Sequence, residues 1–124
     1  MKRWQKFRNR EYRDAYVEAH LRQFVSFQIR CMLRHRGWSQ ETLAKKAKIT
    51  QGVVSRSADP QYGQMSLRTL ARIAHGFDCA LNVSFVPFSK FNRDINAMSD
   101  RKLGRVPSYS IENRHKKSVT QEPR

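Results

Sequence analysis

From about Arg10 to Arg36 the chain contains no Gly or Pro, and Val17, Leu21, Val25, Ile29 and Leu33 recur every four residues. Phe24, Phe27 and Met32 widen that stripe. This spacing predicts an amphipathic helix, as one rod or as two joined near His20. Arg34, His35 and Arg36 lead into Gly37, the order a helix C-terminus favours. Trp38 follows where a Schellman turn tucks an apolar side chain back. Ser39 reads as an N-cap, and Gln40 to Ala47 as a short helix with Leu43, Ala44 and Ala47 inward. Lys48-Ile49 is the only spacer before Thr50, a second N-cap. Gln51 to about Ser57 makes a third helix with Val54 inward. Ala58 to Met65 is loop chemistry punctuated by Asp59-Pro60 and Gly63. Ser66 caps a fourth short helix, striped by Leu67, Leu70, Ile73 and Ala74 and ending near Gly76.

The period then changes. In Leu81-Asn82-Val83-Ser84-Phe85-Val86 apolar and small polar residues alternate, which is a strand signal ended by Pro87. A strand needs a partner ladder, and no second convincing strand exists in the chain. Two arrangements answer this. Leu81, Val83 and Phe85 belong to a strand that pairs with its copy across a dimer axis, or the segment lies extended on the helices. The first is expected here. Beyond Phe91 apolar density falls, and residues 99 to 124 show no sustained period. They read as largely disordered, with Leu103, Val106, Tyr109 and Ile111 as one weak apolar island.

The expected fold class is therefore an all-α helix-turn-helix domain with one C-terminal β-strand. Three segments are expected: a basic N-terminal helical arm (1–20), the helix-turn-helix domain with its strand (21–88), and a basic, largely disordered tail (89–124). At 124 residues there is room for one ordinary domain.

Charge narrows the function. Twenty-five Lys and Arg against ten Asp and Glu leave +15, far more than solubility requires. Such an excess points to a polyanion, nucleic acid before a membrane surface. The flanks carry more of it than the centre: +7 over residues 1–38, +3 over 39–86 and +5 over 87–124. The first ten residues hold Lys2, Arg3, Lys6, Arg8 and Arg10 and no acid, a solvated end or one that touches phosphates. No apolar run reaches the roughly 18 residues of a membrane span, and no secretory signal is visible. Cys31 and Cys79 are far apart, so neither a disulfide framework nor a Cys-ligated zinc site organises the chain. His20, His35, His75 and His115 lack metal-ligand spacing. The acids give no general acid/base pair, and no phosphate-binding or nucleophile-elbow motif occurs. The expectation is a non-enzyme without a cofactor, cytoplasmic and associated with the nucleoid. Phe24, Phe27, Phe77, Phe85 and Phe88 read as core rather than as a base-stacking platform.

Two short helices separated by about three residues, with a helix on either side, describe a helix-turn-helix. A helix fits the major groove only when its polar face is presented and its other face is held by a small scaffold. Ala44 and Ala47 are small enough for close helix approach. Caps at Ser39 and Thr50 leave backbone N–H groups turned outward, where they can meet phosphate.

Residues 37 to 56, GWSQETLAKKAKITQGVVSR, resemble the Xre/Cro phage-repressor family of helix-turn-helix regulators, in the pattern SQ-x-x-LA-x-x-A, a turn, then TQ-x-x-V-SR. The wider stretch Ile29 to Phe88, with Asp59-Pro60, Tyr62-Gly63, Ser66-Leu67-x-Thr69-Leu70 and Phe77-Asp78, resembles a branch of small regulators found in phages, prophages and some antitoxins. The resemblance implies a transcriptional regulator that binds double-stranded DNA as a homodimer. It implies that Gln51, Gly52, Val53, Ser55 and Arg56 face base edges and that Gln40 meets a phosphate. Chemistry agrees: Gln bonds adenine bidentately, Arg does so to guanine, and Val packs on a thymine methyl. Lys45, Lys46, Lys48, Thr50, Tyr62 and Arg68 are further candidates for phosphate contact, with a backbone contact from Gly63. Such contacts give affinity and salt dependence without sequence discrimination. Each of these residues is otherwise an ordinary solvated surface group.

Two departures stand out. The turn position, most often Gly in that family, is Lys48, where positive φ costs about 1 kcal/mol. Ser57 and Ala58 replace the usual apolar residue and Glu, which predicts a short or frayed recognition helix, or one ordered only on DNA. Two other functions fit the chain: an antitoxin that binds a toxin protein, and a sequence-indifferent DNA- or RNA-binding protein.

Overall fold

A computed structural model describes residues 3–62 and 64–119. It contains α1 (Arg3–Lys6), α2 (Arg10–Arg36), α3 (Gln40–Ala47), α4 (Gln51–Ser57), α5 (Leu67–Phe77), α6 (Phe88–Ala97), α7 (Asp100–Gly104) and α8 (Tyr109–Val119). The boundaries follow from caps. Asn9, Ser39, Thr50 and Ser66 each accept a hydrogen bond from the backbone N–H three residues on, which satisfies an otherwise orphaned donor. α2, α3 and α5 end on the left-handed residues Gly37, Lys48 and Asp78. After each, the next N–H reaches back into the last turn: Trp38 to Leu33, Ile49 to Ala44, and Cys79 to Ala74.

α2 is one unbroken rod of 27 residues, about 40 Å long. Its C-terminal half supplies Ile29, Met32 and Leu33 to a core closed by Leu43, Ala44, Ala47, Val54, Ala58, Ile73 and Phe77. Leu43 and Val54 are fully buried. α5 crosses α3 at Gly76, where an added Cβ would sit 2.9 Å from both Ala47 Cβ and Leu43 Cδ1. Only a residue without a side chain permits that approach. The N-terminal half of α2 packs differently. There Tyr16 meets Phe7 at 5.0 Å, His20 at 4.0 Å and Phe91 at 6.3 Å between ring centroids, and Phe88 lies 6.0 Å from Phe7. The Tyr16 hydroxyl donates to Asn92 Oδ1 across to α6 (3.1 Å).

The expected C-terminal strand is absent. Among the described residues there is no strand, and Leu81, Val83 and Phe85 lie in an irregular link between α5 and α6. They are 42%, 64% and 107% exposed, so neither face of the segment is covered. Alternation sets which side chains share a face; it does not supply the ladder that makes a strand. The fold class is thus corrected to all-α, and the cross-dimer pairing built on Leu81, Val83 and Phe85 goes with the strand. Phe85 is likewise not core, and Phe24, Phe27 and Phe88 are only half-buried, whereas Phe77 is fully enclosed.

The basic C-terminal stretch holds α7, α8 and most of α6, helices that composition did not foretell. Asp100 of α7 bonds Arg34 (2.8 Å) and His35 (3.5 Å) of α2. Gln28 donates to Leu103 O and Arg36 to Val106 O. Gly104 faces the His35 ring so closely that a Cβ would collide with it. α8 begins on Asp78: the Tyr109 N–H donates to the Asp78 carbonyl (2.7 Å), and Ser110 bonds its carboxylate. Of the apolar island, Leu103 is buried and Val106 packs on the core, while Tyr109 and Ile111 stay exposed.

Candidate nucleic-acid interface

α4 is held from inside. Val54, Ser57 and Ala58 are buried, and the Ser57 hydroxyl donates to Val53 O (2.8 Å), so a polar side chain enters the interior already satisfied. The last turn expected to fray is therefore packed: small residues at 57 and 58 are what this close seat on the core accepts. The helix is short, at seven residues.

Its outer face carries the other kind of residue. Gln51, Gly52, Ser55 and Arg56 are exposed, at helical spacings of three and four that place them on one side. Val53 is half-buried, at the margin between this face and the core. Thr50 precedes them, exposed, with Oγ1 accepting from Val53 N (3.2 Å). The Arg56 guanidinium lies 5.8 Å from the centre of the Tyr62 ring. These are the residues the structure brings together.

The phosphate candidates are more dispersed. Gln40 opens α3, half-buried. Lys45 pairs with Glu41 at 3.5 Å, both well exposed, an interaction of small worth in water. Lys48 is exposed at the left-handed turn, φ 58° and ψ 44°, so the positive φ expected there is present in a non-glycine residue. Lys46 has another occupation. Its ammonium lies 5.1 Å over the Trp38 ring, beside Arg36 at 4.9 Å. Trp38 in turn stacks on Phe77 (5.7 Å, 16°). Arg68 is exposed in the first turn of α5. Gly63 lies outside the described residues. In the basic arm, Lys6, Arg8 and Arg10 are exposed, and Lys2 lies outside the described residues.

Residues 28–82 match the family model of the Cro/C1-type helix-turn-helix DNA-binding domain. This segment is similar to a Cro/C1-type DNA-binding domain over that range. No curated protein and no solved structure matches the chain. Within the domain, α3 and α4 are the paired helices of the helix-turn-helix, and Lys48-Ile49 is the turn between them. α7 and α8 lie outside the matched range, yet Arg34 and Asp78 inside it anchor them.

Sequence reasoning missed the pairing of Arg56 with Tyr62 and the cationic stack on Trp38. The first had a visible signal: Asp59-Pro60 is a turn starter that returns the chain toward α4. The second had none, because Lys46, Trp38 and Phe77 meet only through the packing of α3 against α5.

Among the described residues no group of three or more His, Cys, Asp or Glu is gathered to hold a metal, and no helix is long and apolar enough to cross a membrane. Cys31 is fully buried, and burial, with the Asp100 carboxylate beside it, pushes its thiol up to about 11. A thiol so held is neutral and unreactive at ordinary pH.

Proposed function

We propose that the chain is a sequence-specific, double-stranded DNA-binding transcriptional regulator that reads the major groove with α4. One observation carries this reading: Gln51, Gly52, Ser55 and Arg56 share the exposed face of a helix whose other face, at Val54, is sealed into the core. Gln and Arg supply the bidentate donor and acceptor sets that separate adenine and guanine from other bases, each contact worth about 1–3 kcal/mol of discrimination. Gly52 leaves room for close backbone approach. Lys45, Lys48, Thr50 and Arg68 contribute affinity through phosphates, and the net charge of +15 supports a salt-dependent term. The role assigned to the chain is binding, with no catalytic step.

A helix of seven residues spans only about 10 Å, which covers too few base pairs to define a site alone. We therefore assign the active form as a homodimer, whose two recognition helices enter successive major grooves about one turn apart on a palindromic operator. The resemblance of residues 29–88 to small regulators of phages and prophages supports a phage or prophage derivation.

The test is a mobility-shift comparison of a selected duplex with random duplexes at about 0.15 M salt. The expected result is preference for the selected duplex by roughly 10³-fold or more. Equal affinity for every duplex, with a steep salt slope, would replace this reading with a sequence-indifferent nucleic-acid binder.

A further inference from the structure

The carbonyl of Arg56 is the anchor of the turn that follows it. Asp59 N donates to Arg56 O (3.1 Å), Gln61 N to Asp59 Oδ1 (2.9 Å), and Tyr62 N to Asp59 O (3.1 Å). With Asp first and Pro60 second, residues 59–62 form the hydrogen-bonded turn those residue types favour. Its product is a ring returned to the helix it left: the Tyr62 ring centre lies 5.8 Å from the Arg56 guanidinium carbon. On the other side the guanidinium runs back along α4 over Gly52, four residues earlier. A Cβ at Gly52 would stand 3.3 Å from Arg56 Nη1, close enough that the guanidinium would have to shift by a few tenths of an ångström. Among the described residues no carboxylate lies within ion-pair distance of Arg56. The guanidinium is therefore restrained by an aromatic face and a bare backbone, and its N–H donors stay available to an outside acceptor.

We infer that Tyr62 and Gly52 are positioning residues for Arg56, fixing the direction of its guanidinium so that it discriminates one base pair of the bound duplex. This rests on the proposed reading of DNA by α4. An exposed Arg side chain samples many rotamers, and each one frozen on binding weakens the contact. Tyr62 and the space at Gly52 reduce that loss before DNA arrives. The phenol hydroxyl takes no part in the restraint; the ring face does.

The experiment is selection of bound duplexes from a random pool, followed by sequencing, for the wild-type chain and for Arg56→Ala, Tyr62→Ala, Tyr62→Phe and Gly52→Ala. Arg56→Ala is expected to relax one base-pair position, by roughly 5-fold or more. Tyr62→Ala relaxes the same position by roughly 2- to 5-fold, and Tyr62→Phe keeps the wild-type preference. Gly52→Ala relaxes that position too, although Ala is the better helix former and thermal stability does not fall. A merely structural role for these residues would not give that combination. If Tyr62→Ala and Tyr62→Phe instead weaken binding to every duplex equally, Tyr62 is a hydroxyl contact to phosphate and the inference is overturned. An unchanged preference in Tyr62→Ala overturns it as well, while leaving groove reading by α4 intact. A wild-type chain that enriches no sequence overturns groove reading itself, and the inference falls with it.

Discussion

α2 joins two regions that solve the same packing problem with different material. At its C-terminal end, Ile29, Met32 and Leu33 meet Leu43, Val54 and Phe77 in a core of aliphatic side chains, small residues and one enclosed ring. At its N-terminal end, Trp4, Phe7, Tyr12, Tyr16, Phe88 and Phe91 gather as large rings around 5–6 Å apart. Phe7 and Tyr16 are buried there, but Trp4 is largely open and Tyr12, Phe88 and Phe91 are half-buried. The first region has a shape requirement, because α3, α4 and α5 must approach closely for α4 to present its polar face. The second has an area requirement only, which rings meet without exact fit. The region that carries the candidate interface is thus the one built from small parts, and its tolerance for change is correspondingly low.

Enclosed and half-open rings should separate most widely. Phe77→Ala is expected to lower stability by about 3–5 kcal/mol, since it removes a buried ring and the partner of Trp38. Phe88→Ala should lower it by less than about 1.5 kcal/mol. Urea unfolding of both variants checks this, and equal losses would erase the distinction between the two regions. Next in size is Gly76→Ala. In an open helix that change is favourable by nearly 1 kcal/mol, but here the methyl group meets Ala47 and Leu43. A net loss of about 1–2 kcal/mol is expected, whereas a gain would mean that α3 and α5 can separate without penalty.

Alkaline pH probes the C-terminal half of α2, where Cys31 faces Asp100 of α7. The Cys31 thiol is raised from 9.0 to about 11 by burial and the Asp100 carboxylate. The folded state therefore holds its proton more firmly than the unfolded chain does. That stabilisation is complete below pH 9 and is lost as pH climbs to about 11. The loss reaches at most about 3 kcal/mol, and Cys31→Ala should remove this part of the pH dependence from urea midpoints. The smallest effect is at Lys48. Replacing it with Gly relieves a left-handed non-glycine residue but loosens the unfolded chain. A net change under about 1 kcal/mol is expected by thermal unfolding.

The paired helices were legible because their signals are local. Ser39, Thr50 and Ser66 mark helix starts by capping the N–H three residues on, and Leu43, Ala44, Ala47 and Val54 declare the buried side. The polar face of α4 followed from the same few residues. The link at residues 81–86 misled because alternation says nothing about whether a ladder exists. α7 and α8 stayed hidden for the opposite reason. Their anchors, Arg34 to Asp100 and Asp78 to Tyr109, join positions more than 30 residues apart, and no local period announces them. The apolar stripe of α2 recurs evenly in sequence, yet Leu21 is half exposed while Ile29 is buried; the difference depends on which helices happen to cover each turn. At the candidate site, residue types pointed to Arg56, but the ring that restrains it became visible only once the turn at Asp59-Pro60 had a direction.

One titration addresses the contrast between the two ends of α2 most directly. The isotope-labelled chain is titrated with its selected duplex while backbone amide resonances are followed by NMR. If α4 reads the groove, the amides from Gln51 to Arg56 shift most, and those of Phe7, Tyr16 and Phe88 stay nearly unmoved. Largest shifts in the aromatic region, with Gln51 to Arg56 unchanged, would contradict the account.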